Sequence, residues 1–320
     1  MQPLKFKPIL KETIWGGKKI GTFKHIDACG NNIGESWEIS GVKHSESIVA
    51  NGPYEGKSLS AVIATERHNL MGMDNYKLFG NEFPLLIKFI DASQDLSIQV
   101  HPDDYTAKKY GLPHGKTEMW YLLNSDAEAT IRCGLKEEIT PEIYKQKVEN
   151  ETICDVIAEY KVKADDCFYI PGGRIHSIGK GCFLTEIQQT SDTTFRIYDF
   201  KRKDKNGNYR QLHTKEAAEC IDYTVGDDYQ TSYVPTANQG VTLVRCEHFC
   251  STVYDLNEPM TLDYSELDSF VILIGVSGKA LITDNEGNET TLCEGETILI
   301  PATTQQIYIS GTIKFIETYV

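Results

Sequence analysis

The chain lacks a C-x-x-C pair, an apolar run long enough to cross a bilayer, and any excess of positive charge. Its nine cysteines, at positions 29, 133, 154, 167, 182, 220, 246, 250 and 293, form an odd and scattered set. Together with the absence of a signal-peptide pattern over Met1–Gly21, this leads to the expectation of reduced thiols in a cytoplasmic protein. Runs such as Phe270–Val276 fall far short of the roughly 20 apolar residues that a spanning helix needs. A net charge of -14 argues against nucleic acid or an anionic membrane as partner. An anionic substrate would have to find a local basic site against that overall field.

What is present is an ordinary globular composition: 320 residues, 24% charged and 40% hydrophobic, enough for one large domain or two. The organising stretch is Asp95–Asp104. There Leu96, Ile98 and Val100 alternate with Ser97, Gln99 and His101, the period of a strand with two unlike faces. Gln99 and His101 then point the same way. A carboxylate follows at Glu118, and a second imidazole at His176. Any one of these alone is explained by a local hydrogen bond. Four on strand-like stretches, in the order Q-x-H, E, H, give an N/O donor set suited to zinc or a neighbouring divalent metal. Gln99 is the weakest donor, being a neutral amide.

A rival cluster is Cys246, His248 and Cys250. On a strand its outer members would lie about 13 Å apart, too far to share one tetrahedral ion, so core cysteines beside a hydrogen-bonded histidine are expected. Two cations are candidates for an anionic substrate. Lys116 stands two residues before Glu118 and would share its face on an extended segment. Arg196 has Asp192 four residues before it. Spacing alone leaves that pair open between a surface contact and a group that holds substrate and moves protons. Arg174 and Lys88 read as salt-bridged or solvated, and His114, in a Pro/Gly-rich turn, as exposed.

The surrounding pattern is mainly β. Gly16-Gly17 after Ile14-Trp15 reads as a turn, and Gly34–Ser40 as a strand. Residues 58–71 have helical spacing with Ser58 or Ser60 as cap. Pro84–Ile90 is an apolar strand. Residues 119–123 and 129–133 read as a strand pair around Asn124-Ser125-Asp126. Thr140-Pro141 opens one or two helices over 143–157, and Thr214–Cys220 is a short helix. Val234–Gly240 is the candidate linker. Beyond it, short strands are expected at 242–244, 251–256, 270–276, 279–283, 297–300, 307–309 and 313–317, the pattern of a jelly-roll sandwich or barrel. Residues 166–171 are echoed by 296–301, with His176 and Gln306 each five residues after the proline, and 118–120 by 268–270. Two copies of one β architecture would explain this, with the metal site in the first only.

Four stretches resemble type I mannose-6-phosphate isomerase: Pro84–Lys88 through Ser97–Pro102, Gly115–Tyr121, Pro171–His176 and Ser191–Arg196. They follow the family's order, and the length resembles its short bacterial form. The resemblance implies a mainly β chain of two cupin-like jelly-roll barrels. A catalytic metal-binding unit would span 1–235, with a helical insert near 136–160, and a second unit without metal 236–320. It further implies a single Zn²⁺ on Gln99, His101, Glu118 and His176, a catalytic Arg196, and Lys116 and Asp192 beside the substrate with Ser97 close to the metal. Longer members carry a histidine directly before the matching lysine. Here Gly115 fills that place and His114 stands one further back, which leaves the general base open. The implied reaction interconverts mannose 6-phosphate and fructose 6-phosphate through an enediol, with a small sugar phosphate as partner and the oligomeric state left open. A cupin oxygenase using iron and a non-catalytic sugar-phosphate-binding module are the competing readings.

Overall fold

A computed structural model describes residues 1–26 and 30–320, so the Cys29 thiol lies outside the described residues. The chain is mainly β, in three sheets whose ladders between strands are all antiparallel. A six-stranded sheet runs, in spatial order, Cys167–Ile170, Glu118–Ser125, Cys182–Gln189, Leu85–Asp91, Ile33–Ile39 and Ile9–Gly17. A five-stranded sheet runs Phe195–Tyr198, Ile98–Val100, His176–Ile178, Thr130–Leu135 and Ile157–Lys161. The third, nine-stranded, holds the strands after residue 240 together with Leu4–Lys7 and Ile48–Val49. Among the described residues no helix is long and apolar enough to cross a membrane, and every cysteine is a free thiol.

The six- and five-stranded sheets share one core, in which Ile90, Trp120, Leu122 and Leu184 of the first meet Ile131, Cys133 and Ile178 of the second. The other face of the six-stranded sheet packs Leu85, Ile87, Phe89 and Met119 against Leu59, Val62, Leu70 and the nine-stranded sheet. Burial on both faces explains why Leu85–Asp91 is an unbroken buried run. The outer face of the five-stranded sheet is covered by the helices Pro141–Glu149 and Thr214–Cys220, whose Tyr144, Ala217 and Cys220 bury Ile98, Val100 and Ile197. With Ile98 and Val100 committed outward, the period-2 geometry of a strand aims Ser97, Gln99 and His101 into the space between the sheets.

Caps fall where the sequence places them: Ser58 accepts from the Ala61 amide and Thr140 from the Ile143 amide, both at 3.3 Å. The helix expected over 58–71 is broken, however. It runs Leu59–Glu66, turns at Arg67 with φ 54°, and resumes over His68–Met71.

Three other expectations are corrected. Gly16 and Gly17 close a strand, Ile9–Gly17, instead of a turn; a Cβ on Gly16 would come within 2.3 Å of the Asn32 carbonyl oxygen, so the glycines permit close approach of chains. The strands around Asn124-Ser125-Asp126 do not pair with each other. Glu118–Ser125 joins the six-stranded sheet and Thr130–Leu135 the five-stranded one, because their apolar faces meet across the core. In the C-terminal third, pairs of expected short strands merge into two 14-residue strands, Val271–Asp284 and Gln306–Tyr319. Gly275 and Gly278 there serve a bulge, not a chain reversal: the register shifts between Gly275 and Ser277.

Candidate metal centre

His176 stands opposite Gln99 in register, and Arg196 stands opposite Gln99 on its other side. His101 directly follows that strand. Glu118 comes from the facing six-stranded sheet, on the same strand face as the core residues Trp120 and Leu122. The four expected ligands therefore converge from both sheets. His176 Nε2 lies 3.5 Å from one Glu118 carboxylate oxygen and His101 Nε2 3.5 Å from the other. One ligand atom from each of the three lies within 4.8 Å of the others. Two donors, each about 2.0–2.2 Å from one tetrahedral ion, stand about 3.3–3.6 Å apart, so the spacing fits a shared cation.

The hydrogen bonds behind the imidazoles prepare them as ligands. His176 Nδ1 donates to the Arg174 carbonyl at 2.8 Å, and His101 Nδ1 to the Thr193 carbonyl at 2.9 Å. A carbonyl only accepts, so in each neutral ring the Nε2 lone pair faces the centre. Burial holds both rings neutral: it pushes His176 down to about 3 and, with the Lys116 charge, His101 well below its ordinary value. Burial and the charge of Glu186 raise Glu118 to about 7, against the pull of Lys116. One Glu118 oxygen is buried with no hydrogen-bond partner, an acceptor that a cation would satisfy.

Gln99 presents its amide nitrogen to His176 Nε2 at 3.3 Å, while its oxygen accepts from Ser97 Oγ at 3.2 Å. Exchanging the two ends of the amide would turn the oxygen to an ion at the same point. Lys116 contacts Glu118 and lies 3.0 Å from His101 Nε2, so an ammonium already sits against two of the donors.

Above this cluster lies a cavity of about 360 Å³, whose walls include the expected Ser97, Gln99, Lys116, Asp192 and Arg196. Glu186, Glu35, Arg210 and His213, which no local sequence signal singles out, also line the cavity, as does Lys88, expected to be salt-bridged or solvated. Lys88 is salt-bridged, at 3.0 Å from its cross-strand neighbour Glu186, and both are buried. Glu186 also accepts from Trp120 Nε1 at 2.8 Å. Burial alone would raise Glu186, but Lys116 and Lys88 outweigh it and bring the carboxyl down to about 2. The missed signal was a charge inside each of two apolar runs, Leu85–Ile90 and Leu184–Ile187, a pairing that a single strand cannot reveal.

Other candidates lie apart from the cavity walls. Arg174 donates to the Tyr169 carbonyl at 2.7 Å, and His114 faces Glu82 at 3.2 Å. The Gly115 Cβ direction points into the backbone of Pro102–Asp104, within 2.9 Å, so a side chain there would displace that turn. The Cys246–Cys250 stretch is a correction: it is not one strand but a hairpin turn between Val241–Arg245 and Cys250–Leu256. Cys246 Sγ contacts the Phe249 carbonyl and His248 lies 3.9 Å from Asp104. Among the described residues, His101, Glu118 and His176 are the one such group of His, Cys, Asp or Glu side chains able to share an ion.

Antiparallel sheets that enclose a buried His–Glu–His cluster beneath a charged cavity define a β protein with a candidate metal centre. Residues 4–136 match the catalytic domain of phosphomannose isomerase type I, and residues 239–320 match the mannose-6-phosphate isomerase cupin domain. The chain is 35% identical to mannose-6-phosphate isomerase ManA of Bacillus subtilis over 297 residues, covering 89% of each. It is 33% identical to the probable mannose-6-phosphate isomerase GmuF of the same organism, covering 99% of each. A crystal structure of the mannose 6-phosphate isomerase from Bacillus subtilis superposes with a TM-score of 0.90, at 30% identity and with both chains fully covered. The chain belongs to the type I phosphomannose isomerase family.

Proposed function

We propose that the chain is a zinc-dependent aldose–ketose isomerase that interconverts mannose 6-phosphate and fructose 6-phosphate through an enediol. The observation that carries this reading is three buried donor atoms within 4.8 Å of one another beneath a cavity lined by lysine and arginine. His101, Glu118 and His176 hold the ion, with Gln99 as the fourth donor. Zinc, when bound, supplies Lewis acidity toward the sugar's carbonyl and neighbouring hydroxyl oxygens.

The remaining work falls to side chains of the cavity. Lys116, buried beside the ligands, stabilises negative charge as it develops on the substrate oxygens. Ser97 orients the Gln99 amide through its hydrogen bond and contacts substrate. Arg196 and Asp192, which both line the cavity without contacting each other, hold the open-chain sugar and carry the proton between adjacent carbons. The catalytic unit is assigned to residues 1–235, with its helical insert near 136–160, and a metal-free unit to 236–320. Leu4–Lys7 pairs with Thr297–Ile300, tying the first unit to the second.

A coupled assay of fructose 6-phosphate turnover tests this directly. Activity is expected to vanish on chelation and return with zinc. Turnover indifferent to metal removal rejects the mechanism. No turnover with zinc restored favours the binding module, and turnover only in the presence of iron and O₂ favours the oxygenase.

A further inference from the structure

The isomerase reading leaves open which cation reads the phosphate. Lys116 is poorly placed for that task, since its ammonium is held by Glu118 and His101 at the ligand cluster. Charge around the cavity instead falls into two groups of ion pairs, an acidic one that marks one end and an arginine-rich one. Glu35 and Glu186 gather about Lys88, at 3.8 and 3.0 Å. The other group is arginine-rich: Asp199 pairs with both Arg202 and Arg210, and Arg196 stands near them.

Two guanidinium groups thus share one buried carboxylate with a third nearby, an excess of positive charge within a chain of net charge -14. Arg202 reaches back to the Asp95 carbonyl and is not part of the cavity wall, so it fixes Asp199 from behind. Arg210 does line the cavity. Its Nε donates to Asp199 at 2.7 Å, and one terminal nitrogen donates to the same carboxylate. The other terminal nitrogen has no protein partner among the described residues. The contact path runs from Gln99 to Arg196, and from the Arg196 guanidinium to the Gln211 carbonyl at 3.0 Å. Arg210, the chain neighbour of Gln211, is thus connected to the ligand cluster through Arg196. A sugar whose reacting carbons lie at the metal end carries its phosphate at the opposite end of the carbon chain.

We infer that Arg210, pre-oriented by the Asp199 carboxylate that Arg202 anchors, is the residue that recognises the phosphate group of the substrate. Fork-shaped donors held in one geometry suit a phosphate dianion and cost little ordering on binding. This inference rests on the isomerase reading for the substrate, and on the arginine cluster for the site.

Arg210→Gln in the zinc-loaded enzyme tests it. The KM for fructose 6-phosphate is expected to rise roughly 10- to 100-fold, the scale of a lost charge-assisted contact. The kcat should stay within about threefold and the metal content should be that of the wild type. Competitive inhibition by inorganic phosphate should weaken in parallel. Arg210→Lys should recover part of the KM, since it restores the charge but not the fork. The Arg210 side chain is 24% exposed, so neither variant opens a hole in the core. Unchanged KM and unchanged phosphate inhibition, with only a lower melting temperature, would reduce Arg210 to a structural partner of Asp199 and overturn the inference. Should the wild type fail to turn over fructose 6-phosphate, the isomerase reading fails separately. Calorimetric titration with inorganic phosphate then still decides: binding lost in Arg210→Gln supports the site, while equal or absent binding overturns it.

Discussion

Replacing His176 by glutamine is expected to empty the metal centre and cut turnover on the order of 10²- to 10³-fold or more, the scale of removing one electrostatic stabiliser of a transition state. The reasoning starts from position. His176 opens a short strand between Ile98–Val100 and Thr130–Leu135, is fully buried, and has its Nδ1 fixed on the Arg174 carbonyl. Its Nε2 is then free to face Glu118. A glutamine amide fills similar space but offers only a weak oxygen donor, on a longer chain with no ring to orient it. Gln306, which echoes its spacing in sequence, likewise opens a strand, yet it is exposed. Fold should survive, because the neighbouring strands keep their backbone ladders. Elemental analysis and the coupled assay check the outcome. Normal zinc content together with normal turnover would show that His176 is not a ligand.

Replacing Lys88 by methionine is expected to destabilise the fold by about 3–5 kcal/mol, the cost of leaving a buried charge without its partner. Lys88 sits in the fully buried strand Leu85–Asp91, 3.0 Å from Glu186 and 3.8 Å from Glu35. Its side chain is 5% exposed and that of Glu186 4%, so the carboxylate has little solvation beyond the cavity to offset the lost ammonium. Those carboxylates hold the lysine above its ordinary range against the opposing effect of burial. Lys116, at 3.9 Å from Glu186, is already engaged with Glu118 and compensates only in part. Denaturant titration of wild type and variant measures the difference. A midpoint shift corresponding to less than about 1 kcal/mol would mean that Glu186 finds other compensation.

Much of this centre could be read from the sequence because its signals are local. Alternation over Leu96–His101 fixed which side chains share a face, and the structure adds the reason they face inward: the helices at 141–149 and 214–220 bury Ile98 and Val100 on the outside. What escaped was whatever depends on pairing between distant strands. Glu186 acquires meaning only when its strand lies between those of Lys88 and Trp120. Arg210 and His213 reach the cavity on a segment whose His213 amide bonds the Arg196 carbonyl at 2.7 Å, a contact no periodicity announces. Glycine misled in both directions. At Gly16, Gly17, Gly275 and Gly278 it marks close approach or a bulge inside a continuous strand, where turn chemistry alone would place a reversal.

The most direct test of the central claim is anomalous diffraction on either side of the zinc absorption edge, from a crystal grown with fructose 6-phosphate. One strong zinc peak per chain is expected, at bonding distance, about 2.0–2.2 Å, from the Nε2 atoms of His101 and His176 and from a Glu118 oxygen. A peak elsewhere, or none between these three side chains in crystals of active enzyme, would contradict the account.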